Sequence, residues 1–132
     1  MGSGSIWWSE CVTADIEAAK KHYGAVCGWS FEGMPMPNGT YWVAKKGDKT
    51  ICGLMELSML EMPEGIPAHW MTYIAVADLD AAVANATDTG GTIVQPPFEI
   101  PGVGRIAMVK EPGGALAGII QPPDSALEAS AN

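Results

Sequence analysis

Few residues in this chain are equipped to bind or react, and they are widely spaced. Glu10 is a carboxylate two residues from Trp8, so the two share one face if the segment is a strand. It could hold a ligand amine or accept a proton there, or stand as a strand-edge acid that reaches solvent or pairs with a lysine. Tyr73 offers a ring and a hydroxyl, to a ligand or to core packing. Arg105 follows a Gly-Val-Gly loop, where its guanidinium suits a carboxylate or phosphate, or braces the loop itself. His69, in Pro-Ala-His-Trp, reads as a surface histidine after a proline turn, with a general base as the alternative. His22 lies among lysines and is expected to be exposed. Cys11, Cys27 and Cys52 are an odd set in apolar stretches without metal-ligand spacing, and read as reduced core residues of a cytoplasmic protein. The sequence holds no Gly-x-Ser-x-Gly, phosphate loop, dinucleotide glycine motif or His-Glu-x-x-His.

The elements that must position these groups are written twice. WSECVTADIEAA from Trp8 and MTYIAVADLDAA from Met71 align at an offset of 63 residues, pairing Asp15 with Asp78 and Glu10 with Tyr73. Gly28 meets Gly91 at the same offset, and ICGLME (51–56) meets LAGIIQ (116–121) at 65. A duplicated unit of this length is half of a small domain, and ligand chemistry is expected where such halves face each other.

Each copy reads as βαβββ. SIWWSECV (5–12) is a strand, and Asp15 caps a helix carrying Ile16, Ala19, Tyr23, Val26 and Cys27 at helical spacing, with Gly24 loosening its last turn and Gly28 closing it. WSFEG, TYWVAKK and KTICGLMEL follow as strands, turned at Asn38-Gly39 and Gly47-Asp48. In the second copy WMTYIAVA is a strand, Asp78 caps a helix ended by Gly90-Gly91, and TIVQPP, GRIAMVK and ALAGIIQPP are strands. Residues 1–132 therefore form a single domain with modules at 5–58 and 69–122, a linker at 59–68 and a frayed tail, DSALEASAN.

Composition narrows the function classes. Hydrophobic residues make up 48% and charged residues 17%, which fits a packed domain rather than a disordered chain. A net charge of −8 argues against nucleic acid or an anionic membrane surface as partner. No apolar run approaches the ~18 residues of a membrane span. MGSGS at the start lacks the regions of a signal peptide.

Three segments carry a family likeness: DIEAAKKHYGAVCGW (15–29), HWMTYIAVADLDAAV (69–83) and IPGVGRIAMVKEPGGA (100–115). With the duplicated βαβββ module, the chain resembles the vicinal oxygen chelate superfamily, in its small glyoxalase/bleomycin resistance/dioxygenase branch. The resemblance implies an α+β fold in which each module curls its sheet into half a cup. It implies one metal ligand, His or Glu, on the first and last strand of each module in the enzymes. Those positions fall here on Trp8, Gly53, Met71 (Thr72 if the strand is shifted by one) and Gly118. None of these side chains is a good donor to a divalent ion.

Glycine at 53 and 118 takes side chains out of the cup centre, which is expected to leave room for an apolar pocket. Trp8, Trp42, Met55, Met71 and Met108 are its expected lining, with Glu10, Tyr73 and Arg105 orienting the ligand. Glu56 and Gln121 lie three residues past the glycines, on the opposite strand face by alternation. The reading is metal-independent binding of a small hydrophobic or aromatic molecule, as in bleomycin-resistance proteins, with no cofactor. The resemblance also implies a homodimer. One alternative is a metal-dependent glyoxalase-like lyase, isomerase or dioxygenase with a non-standard site from Glu10, His69 or Glu56. Another is an interaction module whose cup is filled by its own Trp and Met side chains.

Overall fold

A computed structural model describes residues 3–60, 65–100 and 103–123. The tail from Asp124, the first two residues, and positions 61–64 of the expected linker lie outside the described residues. The elements run β1 (Ile6–Thr13), α1 (Ile16–Cys27), β2 (Ser30–Met36), β3 (Gly39–Lys46), β4 (Lys49–Glu56), β5 (His69–Ala75), α2 (Leu79–Asp88), β6 (Thr92–Ile100), β7 (Gly104–Lys110) and β8 (Leu116–Gln121). This is the α+β arrangement of two βαβββ modules expected from the repeat. Two compact units result, one from Trp8 to Met71 and the other joining the segment before Trp8 to the residues from Thr72 onward. The early segment is tied in by Gly4, whose N–H donates to the Ala75 carbonyl (2.6 Å), and by the Ala75 N–H, which donates to Ser5 (2.9 Å).

Both helices start for the same reason. Asp15 and Asp78 are extended residues whose carboxylates accept from the Ala18 and Ala81 amides, each at 3.1 Å. A second acceptor, supplied by the last strand of the same module, completes each helix start. Glu56 Oε1 takes the Ile16 N–H at 2.9 Å, and Gln121 Oε1 takes the Leu79 N–H at 2.8 Å. These repeat-equivalent residues therefore face the helices, as alternation predicted, and fasten helix to sheet.

The helix ends depart from the expectation in detail. α1 runs unbroken through Gly24 to Cys27, and Gly28 closes it in the left-handed conformation (φ 72°). α2 ends earlier than Gly90-Gly91, at Asp88, and the Gly91 N–H returns to the Ala86 carbonyl at 2.8 Å. Val26, expected on the apolar face, is 65% exposed. The packed face of α1 is instead Ile16, Ala19 and Tyr23, set against Cys11, Ala44, Cys52 and Leu54 of the sheet.

In the first module the strand order is β2-β3-β4-β1, with β1 and β4 parallel and the rest antiparallel. In the second it is β5-β8-β7-β6, with β5 and β8 parallel. The outer strands β2 and β6 carry Pro35 and Pro96-Pro97, and both run further than the sequence reading placed them. A proline cannot donate to a ladder, so an outer strand tolerates it, and β6 absorbs its pair in register shifts between Ile93 and Phe98. Among the described residues, no helix is long and apolar enough to cross a membrane.

If the Glu56 oxygen fastens α1 by accepting one amide, Glu56→Gln should keep stability, because Gln121 does the same work. Glu56→Ala should lose about 1 kcal/mol. Urea unfolding of the three proteins measures both, and equal losses for Gln and Ala would refute the assignment.

Candidate ligand-binding site

Each strand has one face toward its module's helix and one away from it, and hydrogen bonds show which is which. On β7, Arg105 reaches Asp80 of α2 through two bonds of 3.0 and 3.2 Å. Residues 106 and 108 therefore point away from α2. On β8, Gln121 faces α2, so Gly118 and Ile120 point away, and Tyr73 and Met108 sit opposite Gly118 in the ladder. On β3, Trp42 packs with the α1-side core and carries the Lys20 ammonium 3.4 Å from its ring centre. Tyr41 and Val43 therefore point to the helix-free face, as do Gly53, Met55, Glu10 and Trp8 of the paired strands.

The helix-free face of the first module holds a polar cluster. Among the described residues Glu10 is the one charged side chain that is buried, at 5% exposure. Trp8 Nε1 donates to the Tyr41 hydroxyl at 3.0 Å, and that hydroxyl in turn donates to the Glu10 carboxylate. Burial first, and then the negative charge of Glu10, push the Tyr41 phenol far above its usual range, so its proton stays in place. The cluster sits over Gly53: a Cβ there would collide with the Tyr41 hydroxyl and come within 3.1 Å of Trp8 Nε1.

The second module makes the same accommodation with a different strand. A Cβ at Gly118 would run into the ring of Tyr73, a residue 5% exposed. The room expected from the two glycines is therefore occupied, by the Tyr41 hydroxyl in one module and the Tyr73 ring in the other. Met108, opposite Gly118 in the ladder, is buried as well, and so is Met71 at the end of the first unit.

Two expected lining residues stand elsewhere. Trp42 lies on the α1 side, its ring over Gly33. Arg105 lies on the α2 side, spent on Asp80. Tyr41 was not among the expected residues, and a β-bulge between Ala44 and Lys45 explains why. Counting back from the Lys46–Lys49 hairpin pair without the bulge puts Trp42 opposite Gly53. The extra residue shifts the ladder by one, so Val43 takes that place and Tyr41 follows to the helix-free side.

The histidine and thiols complete the inventory. His69 is half-buried rather than on the surface, and its Nδ1 lies 2.7 Å from the Pro67 carbonyl. A carbonyl only accepts, so Nδ1 carries a proton, and Nε2 is buried with no partner among the described residues. Burial raises the Cys11 thiol and pushes that of Cys52 up to about 11, so both stay protonated at neutral pH and are poor nucleophiles.

The sequence pattern of the Glyoxalase/Bleomycin resistance protein/Dioxygenase superfamily matches residues 8–119. The chain belongs to this superfamily. Among curated proteins of similar sequence, "Putative glyoxylase CFP32" of Mycobacterium tuberculosis is 37% identical over 121 residues, covering 91% of this chain and 45% of that protein. "Anthracycline biosynthesis protein DnrV" of Streptomyces peucetius is 32% identical over 118 residues, covering 89% of this chain and 42% of that protein. This superfamily member thus spans a little under half the length of those relatives. Among solved structures, methylmalonyl-CoA epimerase of Mycobacterium tuberculosis superposes with a TM-score of 0.60 at 17% identity, covering 98% of this chain and 92% of that one. The hypothetical protein BH1468 of Bacillus halodurans C-125 gives 0.66 at 15% identity, covering 92% and 96%. These two show the fold.

The metal that the resemblance implies for the superfamily's enzymes does not fit the residues at those positions. Gly53 and Gly118 have no donor, and a side chain at either would meet a tyrosine. Trp8 offers an N–H already given to Tyr41, and the thioether of Met71 is a poor donor to a hard or borderline dication. Among the described residues no three His, Cys, Asp or Glu side chains stand close enough to hold an ion together.

Gly53→Ala and Gly118→Ala should each destabilise, because a Cβ at either would overlap a tyrosine ring, Tyr41 in the first module and the buried Tyr73 in the second. Overpacking of this kind costs about 1–3 kcal/mol, which thermal or denaturant unfolding resolves. Gly118→Ala as stable as the parent would mean that the ring moves freely.

Proposed function

We propose that this superfamily member binds a small hydrophobic or aromatic molecule without a metal, on the helix-free face of its first module. The observation that carries the reading is the Trp8–Tyr41–Glu10 cluster over Gly53, which puts hydrogen-bonding groups where the resemblance calls for metal ligands. Trp8 and Tyr41 are half-buried, so part of each ring is open to a ligand. Met34 and Met36 on β2, 50% and 40% exposed, extend an apolar surface beside Tyr41, which pairs with Met34 in the ladder. Apolar burial would drive binding, and the few polar groups would orient the ligand. Tyr73 and Met108 would support the second module, and Met71 the first, rather than touch the ligand, since all three are buried. A homodimer is part of the same proposal, because β2 and β6 are outer strands within their modules and superfamily members often pair.

A catalytic reading draws on a different observation, the buried Nε2 of His69, which has no hydrogen-bond partner among the described residues. Glu56 no longer supports that reading, because its oxygen is engaged by α1.

Native mass spectrometry of the protein, as purified and after adding 2-naphthol, tests the binder reading. A bound organic molecule with no stoichiometric metal is expected. A divalent metal at one per chain that also raises the melting temperature would favour the enzyme. Arg105→Ala should leave naphthol affinity unchanged in titration calorimetry, since its guanidinium is on the α2 side. A lost affinity would return Arg105 to the site.

A further inference from the structure

Methionine usually fills gaps inside a protein, out of reach of solvent. Among the described residues Met55, Met71 and Met108 follow that rule, and Met59 is half-buried with its sulfur against Gly39. Met34 and Met36 break it, at 50% and 40% exposure. They lie two residues apart on β2, so their side chains share a face. In the ladder Met34 is opposite Tyr41 and Met36 opposite Gly39, which puts both thioethers on the helix-free side. Pairing of this outer strand with a further one would use its backbone edge and leave that face open.

Met59 approaches the same side from the short turn after β4. Its Sδ lies 3.0 Å from where a Cβ on Gly39 would stand, and the Asn38 side-chain amide donates to its carbonyl at 2.9 Å. Open, clasped and buried thioethers therefore occur in one small protein, graded in their access to solvent.

That gradation matters because a thioether is open to oxidation and access governs its rate. With hydrogen peroxide the sulfur attacks one oxygen, an S–O bond forms and the O–O bond breaks. The attacked oxygen gives its proton to the departing hydroxide, which leaves as water. Sulfur loses two electrons and the peroxide gains them. The product is a sulfoxide, a polar group where an apolar one stood. An aromatic molecule without a donor, laid against it, would strip water from the new oxygen and give no hydrogen bond in return.

We propose that Met34 and Met36 are a hydroperoxide-sensitive pair, and that their oxidation to sulfoxides releases an aromatic ligand from this face. The inference rests on the binding face proposed above and adds its regulation. Reduction of the sulfoxides by methionine sulfoxide reductases would restore the surface, so the response is reversible.

The whole chain is treated with hydrogen peroxide under native conditions, then with dithiothreitol, which returns reversible thiol products and leaves sulfoxides. Peptide mass mapping is expected to find oxygen first on Met34 and Met36, later on Met59, and last on Met55, Met71 and Met108. Fluorescence titration with 2-methoxynaphthalene, which has no donor, should show affinity falling several-fold on oxidation. Sulfoxide reductases with dithiothreitol should bring it back. The double variant Met34→Leu/Met36→Leu, whatever its own affinity, should give the same value before and after peroxide. If that variant does not bind, recovery by the reductases on the unmutated chain decides the matter.

Equal oxidation of the buried methionines would overturn the inference, as would unchanged affinity once Met34 and Met36 carry oxygen. So would a loss that the reductases do not reverse, or that the double variant still shows. In those four cases the binding face survives. If the unoxidised protein does not bind the probe, the face falls together with its regulation.

Discussion

One constraint organises this molecule: each module has a helix on one side of its strands, so the strands' two-residue alternation divides every side chain between two environments. Side chains that meet the helix form the packed core of Cys11, Ala44, Cys52 and Leu54 in the first module. Side chains on the other face include Glu10, a carboxylate that 5% exposure would make costly in isolation. Tyr41 offsets that cost with a hydrogen bond, and Trp8 completes the hydroxyl's own needs. A one-residue slip anywhere in β3 or β4 would exchange the two environments, putting Trp42 where Tyr41 is.

The duplicated modules solve equal problems with unequal chemistry. Glu56 and Gln121 differ in charge, yet each supplies one side-chain oxygen to the first amide of its helix. That bond needs an acceptor and is indifferent to which of the two carries it. Gly53 and Gly118 are matched in the same way by tyrosines from different strands, β3 in one module and β5 in the other. The glycine is common to both because an aromatic group lies against the backbone at each point. The consequence differs: a hydroxyl over Gly53 leaves a polar cluster, whereas a ring over Gly118 leaves a packed apolar surface.

Membership of the superfamily does not carry a particular reaction with it. The relatives bear names as different as glyoxylase and anthracycline biosynthesis protein, and the epimerase likeness, at 17% identity, is one of backbone. At the four strand positions where the resemblance implies metal ligands, this chain carries Trp8, Gly53, Met71 and Gly118, and tyrosines cover the two glycines.

Much of the architecture was legible in the residues themselves. The repeat, the capping Asp15 and Asp78, the closing Gly28 and the faces of Glu56 and Gln121 follow from local rules of turn, cap and alternation, which depend on near neighbours. The glycines at 53 and 118 were equally plain. What stood over them was not, because a glycine shows that space is needed without showing what fills it. Tyr41 reaches Gly53 only through the bulge between Ala44 and Lys45, and Arg105 meets Asp80 only because β7 lies beneath α2. Local pattern determines which residues share a face of one strand. Register between strands decides which of those faces meet, and a single inserted residue, costing little in either strand alone, is enough to change the answer.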